Sequence, residues 1–98
     1  MSSNRRLNQG EGSRFYGSAS VTVSALAAAA EEDLSITDTN AEVDHVVSVS
    51  FANAAMETGL SVSAAWVSAA GTIKVRISNQ SGSGLTGGAN TIYYTLEK

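Results

Sequence analysis

Cysteine and proline are both absent from this 98-residue chain, and charge is scarce. Without cysteine there is no disulfide staple, no thiolate zinc site and no cysteine nucleophile, so a chain of this size takes its stability from packing or from association. Without proline, and with Lys74 and Lys98 as the only lysines, it has few of the residues that commonly blunt exposed sheet edges. Charged residues make up 15% of the chain, against about 25% in an average soluble domain. Ser, Thr, Asn and Gly fill the polar positions instead. Such a surface gives up little ionic hydration on contact, which points to a protein that works within an assembly. No run of eighteen apolar residues occurs, so no helical membrane span is predicted. The stretch from Val21 to Ala30 is too short and too polar, with Thr22 and Ser24, to read as a secretory leader.

The charge that is present is unevenly placed. Residues 1–16 carry Arg5, Arg6 and Arg14 against Glu11, whereas the rest of the chain is acidic and brings the formal net charge to −3. An acidic body argues against nucleic-acid binding, which depends on basic surface. Residues 1–14 show no helical or strand periodicity and read as a flexible N-terminal arm, ended by Phe15 and Tyr16. The division expected is an arm over 1–16 and one β domain over 17–98.

What is there is alternation. Val21 and Val23 share a parity, as do Leu34 and Ile36, then His45, Val47, Val49 and Phe51. Leu60, Val62, Ala64 and Trp66 follow, then Ile73, Val75 and Ile77 after the break at Ala69-Ala70-Gly71, and finally Ile92, Tyr94 and Leu96. Side chains of a strand alternate between faces, so each set marks a half-buried strand. The Ala25–Asp33 run has helical propensity but is too short for an isolated helix and ends in three acids, the wrong charge for a helix C-terminus. It is expected to be a connecting loop. Residues 81–90, rich in Gly and Ser, read as a long flexible connection. The fold predicted is all-β, a small antiparallel sandwich or barrel of about six to eight strands. Trp66 is expected as a core anchor, and Ala65, Val67 and Tyr93 as outward residues available for subunit contact.

Motifs that carry chemistry do not survive their context. Gly82-Ser-Gly84-Leu-Thr-Gly87 has the spacing of a dinucleotide fingerprint, but a strand follows where a helix must hold the pyrophosphate. Asp38, Asn40, Glu42 and Asp44 alternate like oxygen ligands, yet the sixth and twelfth places of a calcium loop hold Val43 and Val49 instead of Gly and Glu. His45, the sole histidine, has no nucleophile elbow to serve and reads as structural. The sequence therefore predicts no catalytic site, no metal and no cofactor.

From about Gly17 onward the order of patterns resembles that of small all-β virion proteins of tailed bacteriophages. The residues that carry the resemblance are Ala19–Leu34, Val46–Phe51, Gly59-Leu60, Trp66–Thr72 and Val75–Asn79. The resemblance implies a non-enzymatic capsid decoration (cement) protein on the outer head surface, made in the host cytoplasm and associating as a homotrimer. Its partner would be the major capsid protein, with Arg5, Arg6 and Arg14 meeting carboxylates and Leu7, Phe15 and Tyr16 filling apolar notches. No nucleic acid and no membrane would be bound. The alternative is a tail or fibre module, with the arm as docking peptide and the loop at 81–90 touching a receptor or glycan.

Overall fold

A computed structural model describes residues 14–52 and 57–98. Six antiparallel strands form two three-stranded sheets: β1 (Arg14–Val23), β2 (Glu31–Thr37), β3 (Val46–Phe51), β4 (Leu60–Ala69), β5 (Thr72–Asn79) and β6 (Gly88–Glu97). The first sheet has the order β1-β6-β3 and the second β2-β5-β4. The sheets stack face to face as a small sandwich, with β1 alongside β2 and β3 alongside β4. No described residue lies in a helix, and the loop expected over Ala25–Asp33 is shorter, with Glu31–Asp33 opening β2.

The two central strands are the ones whose alternation is most regular. Ile73, Val75 and Ile77 of β5 face Ile92 and Leu96 of β6, and all five are fully excluded from solvent. Around them pack Leu34 and Ile36 from β2, Val21 and Val23 from β1, and Phe51 from β3. A central strand is covered on both sides by neighbours, so its inward side chains have no route to water.

Three sequence expectations are corrected. First, the strand begins at Arg14 rather than Gly17, because Phe15 is half-buried against the core and meets His45 edge-on with ring centroids 6.0 Å apart. Second, Trp66 is not a core anchor, and Ala65 and Val67 do not face outward. Val62 pairs with Ile77 but Ala64 pairs with Arg76, so Ser63 is the extra residue of a β-bulge. One inserted residue exchanges the faces of everything beyond it. Val67 is consequently buried and Ala65 packs on the core, while Trp66 stands opposite Lys74 on the outer face. A second bulge follows at Ser68, between the Val67↔Ile73 and Ala69↔Thr72 pairs.

Third, the Gly- and Ser-rich segment before β6 is tied down rather than loose. Leu85 is buried and pairs with Leu26 through two backbone hydrogen bonds of 2.8 and 3.1 Å. The buried Asn79 side chain organises the same end. Its Nδ2 donates to the carbonyls of Leu26, Ala27 and Ser83 (3.1, 3.0 and 2.8 Å), and its Oδ1 accepts from the backbone N–H and hydroxyl of Ser81 (2.9 and 2.7 Å). Gly87, at φ +78°, lies so close to the end of β1 that a Cβ there would sit 2.3 Å from the Val23 carbonyl oxygen. The close crossing needs glycine twice over, for the left-handed backbone and for the missing side chain.

Candidate functional site

The two sheets present different outer faces. On the first, strand pairing sets side chains in rows: Arg14–Glu97–Val46, Tyr16–Thr95–Ser48, Ser18–Tyr93–Ser50 and Ser20–Thr91. Arg14 and Glu97 are the only charged members of these rows, and the guanidinium is bonded to the carboxylate, so the face is locally neutral. Tyr16 and Tyr93 are 72% and 55% exposed, diagonal neighbours on adjacent strands. With Ser48, Ser50 and Thr95 they line a shallow groove. This is an aromatic and hydroxyl surface, able to pack flat rings and exchange neutral hydrogen bonds, and cheap to dry because it carries no free charge.

The second sheet's outer face is ionic. Asp33 of β2 accepts from Arg76 of β5 at 2.8 and 3.2 Å, which holds its carboxyl below the usual range. The Arg76 guanidinium also lies 5.1 Å from the Trp66 ring centroid, a cation–π contact. Lys74 donates to Ser35 at 2.6 Å. Asp33 and Arg76 thus neutralise each other on this face.

Two carboxylates brace the connections. Tyr94 points inward from β6, and its hydroxyl donates to Asp38 at 2.6 Å, fastening the β2–β3 turn beneath the first sheet. Asp38 also accepts from the Asn40 backbone N–H, an Asx turn. Hydrogen bonding, first from Tyr94 and then from Asn40, lowers the Asp38 pKa, while burial and then this bond push the Tyr94 phenol up to about 12. The Tyr94 ring crosses β1 at Gly17, where any Cβ would come within 2.5 Å of it. At the opposite end Glu57 accepts from the backbone N–H groups of Thr86 and Gly87 and from the Thr86 hydroxyl, all at 3.0–3.1 Å, and the backbone donors lower its pKa.

The candidate residues of the sequence therefore separate. Tyr93 is outward as expected, and Tyr16 joins it from β1. Arg14 pairs with Glu97 and Phe15 packs against the core, so both lie in β1. Arg5, Arg6 and Leu7 lie outside the described residues. His45 is buried with its Nδ1 accepting the Glu42 backbone N–H at 2.9 Å, and its Nε2 has no partner among the described residues. The acids of 38–44 do not converge: Asp38 serves Tyr94, while Glu42 and Asp44 reach Lys98. Among the described residues no group of three metal-ligating side chains gathers.

Sequence reasoning missed the role of Tyr16, placed in the arm, and of Asn79, taken only as a strand end. The signal for Tyr16 was present in its parity with Ser18 and Ser20. For Asn79 the local part, an Asx turn onto Ser81, was within reach of the sequence, but its bonds to the carbonyls of Leu26 and Ala27 far back in the chain were not. The chain matches no family model, no curated protein and no solved structure.

Proposed function

We propose that the protein is a non-enzymatic structural module that works by surface contact within a larger assembly, as a decoration protein on the outer head of a tailed bacteriophage. The observation that carries the contact role is the first sheet's outer face, neutral and hydroxyl-rich around two exposed tyrosines. A face of this kind associates without stripping hydration from ions, and tyrosine supplies rigid contact area at small entropic cost. The choice of a virion shell as the assembly follows from the family resemblance. Residues 1–13, with Arg5, Arg6 and Leu7, would supply the segment that settles on the major capsid protein. Repetition over many symmetric copies would let modest individual contacts hold a shell.

The test is location. Purified particles are separated into tailless heads and tails, and the protein is quantified in each. Many copies per head, lost when residues 2–13 are deleted from an otherwise folded chain, is the expected result. Absence from heads overturns the proposal, and recovery with tails selects the tail or fibre module.

A further inference from the structure

The four outer strands of the two sheets differ in how their free edges are treated. In β2, Glu31, Glu32 and Asp33 fall in succession, and this block of like charge along the strand is one of the devices that blunt an edge. In β4 the bulges at Ser63 and Ser68 interrupt any continuous ladder. These are devices that keep edges from pairing. β1 and β3 have neither device, and β1 is the longer, with ten residues against six.

The direction of the free backbone groups follows from one hydrogen bond. Ala52 N–H donates to the Thr91 carbonyl, one step beyond the β3–β6 register, so Thr91, Tyr93, Thr95 and Glu97 turn their backbone groups toward β3. Antiparallel alternation then turns Asn90, Ile92, Tyr94 and Leu96 toward β1, where they meet Val21, Ala19, Gly17 and Phe15. Tyr16, Ser18, Ser20 and Thr22 are left with N–H and C=O directed away from the sheet. Their side chains are exposed as well.

We infer that β1 is the association edge for a second copy of this chain, paired antiparallel across a two-fold axis at Ser18. The two first sheets would join as one six-stranded sheet in the order β3-β6-β1-β1-β6-β3. The edge is self-complementary in that register. Ser18 faces its own copy, Tyr16 faces Ser20, Arg14 faces Thr22, and Gly17 faces Ala19, so no like charges meet and a large side chain lies opposite a small one. Each outward-facing pair exchanges two backbone hydrogen bonds, and the neutral outer faces become continuous. A two-fold interface is isologous, which a self-complementary strand satisfies and a threefold ring does not. The pairing concerns the isolated chain and stands apart from any role on a virion.

The test uses the full-length protein, its mass measured by light scattering over a concentration series. A dimer is expected. Ser18→Lys, which sets two ammonium groups opposite each other at the axis, should weaken it by roughly twofold to fivefold with the circular dichroism spectrum unchanged. Ser48→Lys, equally exposed on the same face but with its backbone turned toward β6, should leave the dimer intact. The chain has no cysteine of its own, so Ser18→Cys should join two copies through a short bis-maleimide, while Ser63→Cys on the bulged edge should not. A monomer at every concentration, a trimer indifferent to Ser18→Lys, or a dimer broken by Ser48→Lys and not by Ser18→Lys would each overturn the inference.

Discussion

The two sheets share a core and differ on their outer sides. The second sheet carries acids and bases that satisfy one another, Asp33 with Arg76 and Arg76 with Trp66, and its edges are acidic or bulged. The first sheet keeps one ion pair at its end and otherwise shows serine, threonine and two tyrosines, with plain edges. An ion pair spent within a face leaves little for a partner, and an interrupted ladder leaves no template. A neutral hydroxyl face leaves both available. The difference teaches that the side of the molecule open to association is the one with the least conventional chemistry on it.

The comparison holds only if the sheets are equal inside, and the largest expected effects test that. Ile77→Ala in the second sheet and Leu96→Ala in the first each remove a fully buried side chain, and each should cost about 2–5 kcal/mol in denaturant unfolding. A marked inequality would mean that one sheet dominates the core. Next is the polar clasp that joins the ends of both sheets. Asn79→Ala frees three carbonyls and two donors from their partner, with a loss of about 2–3 kcal/mol. Hydrogen exchange should then rise first at residues 80–87, ahead of the β5 amides.

A smaller effect distinguishes the sheets by pH. The Asp38 pKa is depressed in the folded protein, so its contribution is present above the ordinary carboxylate range and is lost as pH falls through the folded value. The Tyr94 phenol is raised from 10.0 to about 12, so its contribution is intact below pH 10 and is lost as pH climbs toward 12. Tyr94→Phe should therefore lower the melting temperature most at neutral pH, with the gap to the parent protein closing at both extremes. A constant gap would show that the hydroxyl bond is not what Tyr94 supplies. The smallest effect is expected on the charged face. Asp33→Asn should leave the melting temperature within experimental error, since exposed ion pairs contribute little and are screened by salt.

How much of this was legible depended on whether a residue's partner was local. In β5 and β6 the strict alternation of Ile73, Val75 and Ile77, then Ile92, Tyr94 and Leu96, marked the central strands and their inward sides. In β4 the same rule failed. Ala64, Ala65, Trp66 and Val67 are apolar on both parities, so nothing in the string marks the bulge at Ser63, and Trp66 is assigned to the wrong side. The exposed Tyr93 was found by parity alone. Tyr16 and Phe15 were read as the end of an arm although Tyr16 keeps the parity of Ser18 and Ser20, and it is their pairing with Thr95 and Leu96, far along the chain, that fixes them in the strand. Asn79 is a mixed case: its turn onto Ser81 is local, but its hold on the Leu26 and Ala27 carbonyls depends on a loop whose path no local pattern reveals.

The pairing of β1 with β6 also sets an order in time. The first strand of the domain has its ladder partner in β6, Arg14 opposite Glu97, so the first sheet cannot close until β6 has been synthesised. The second sheet, with its β4–β5 hairpin, can form sooner, because its three strands emerge in turn. During that interval β1 lacks its one ladder partner, is ten residues long and carries a single charge, Arg14. Such a strand is slow to find its place, because a distant contact must first overcome loop-closure entropy, and it is open to other chains meanwhile. Crowded synthesis of many identical copies is the condition under which that delay matters most.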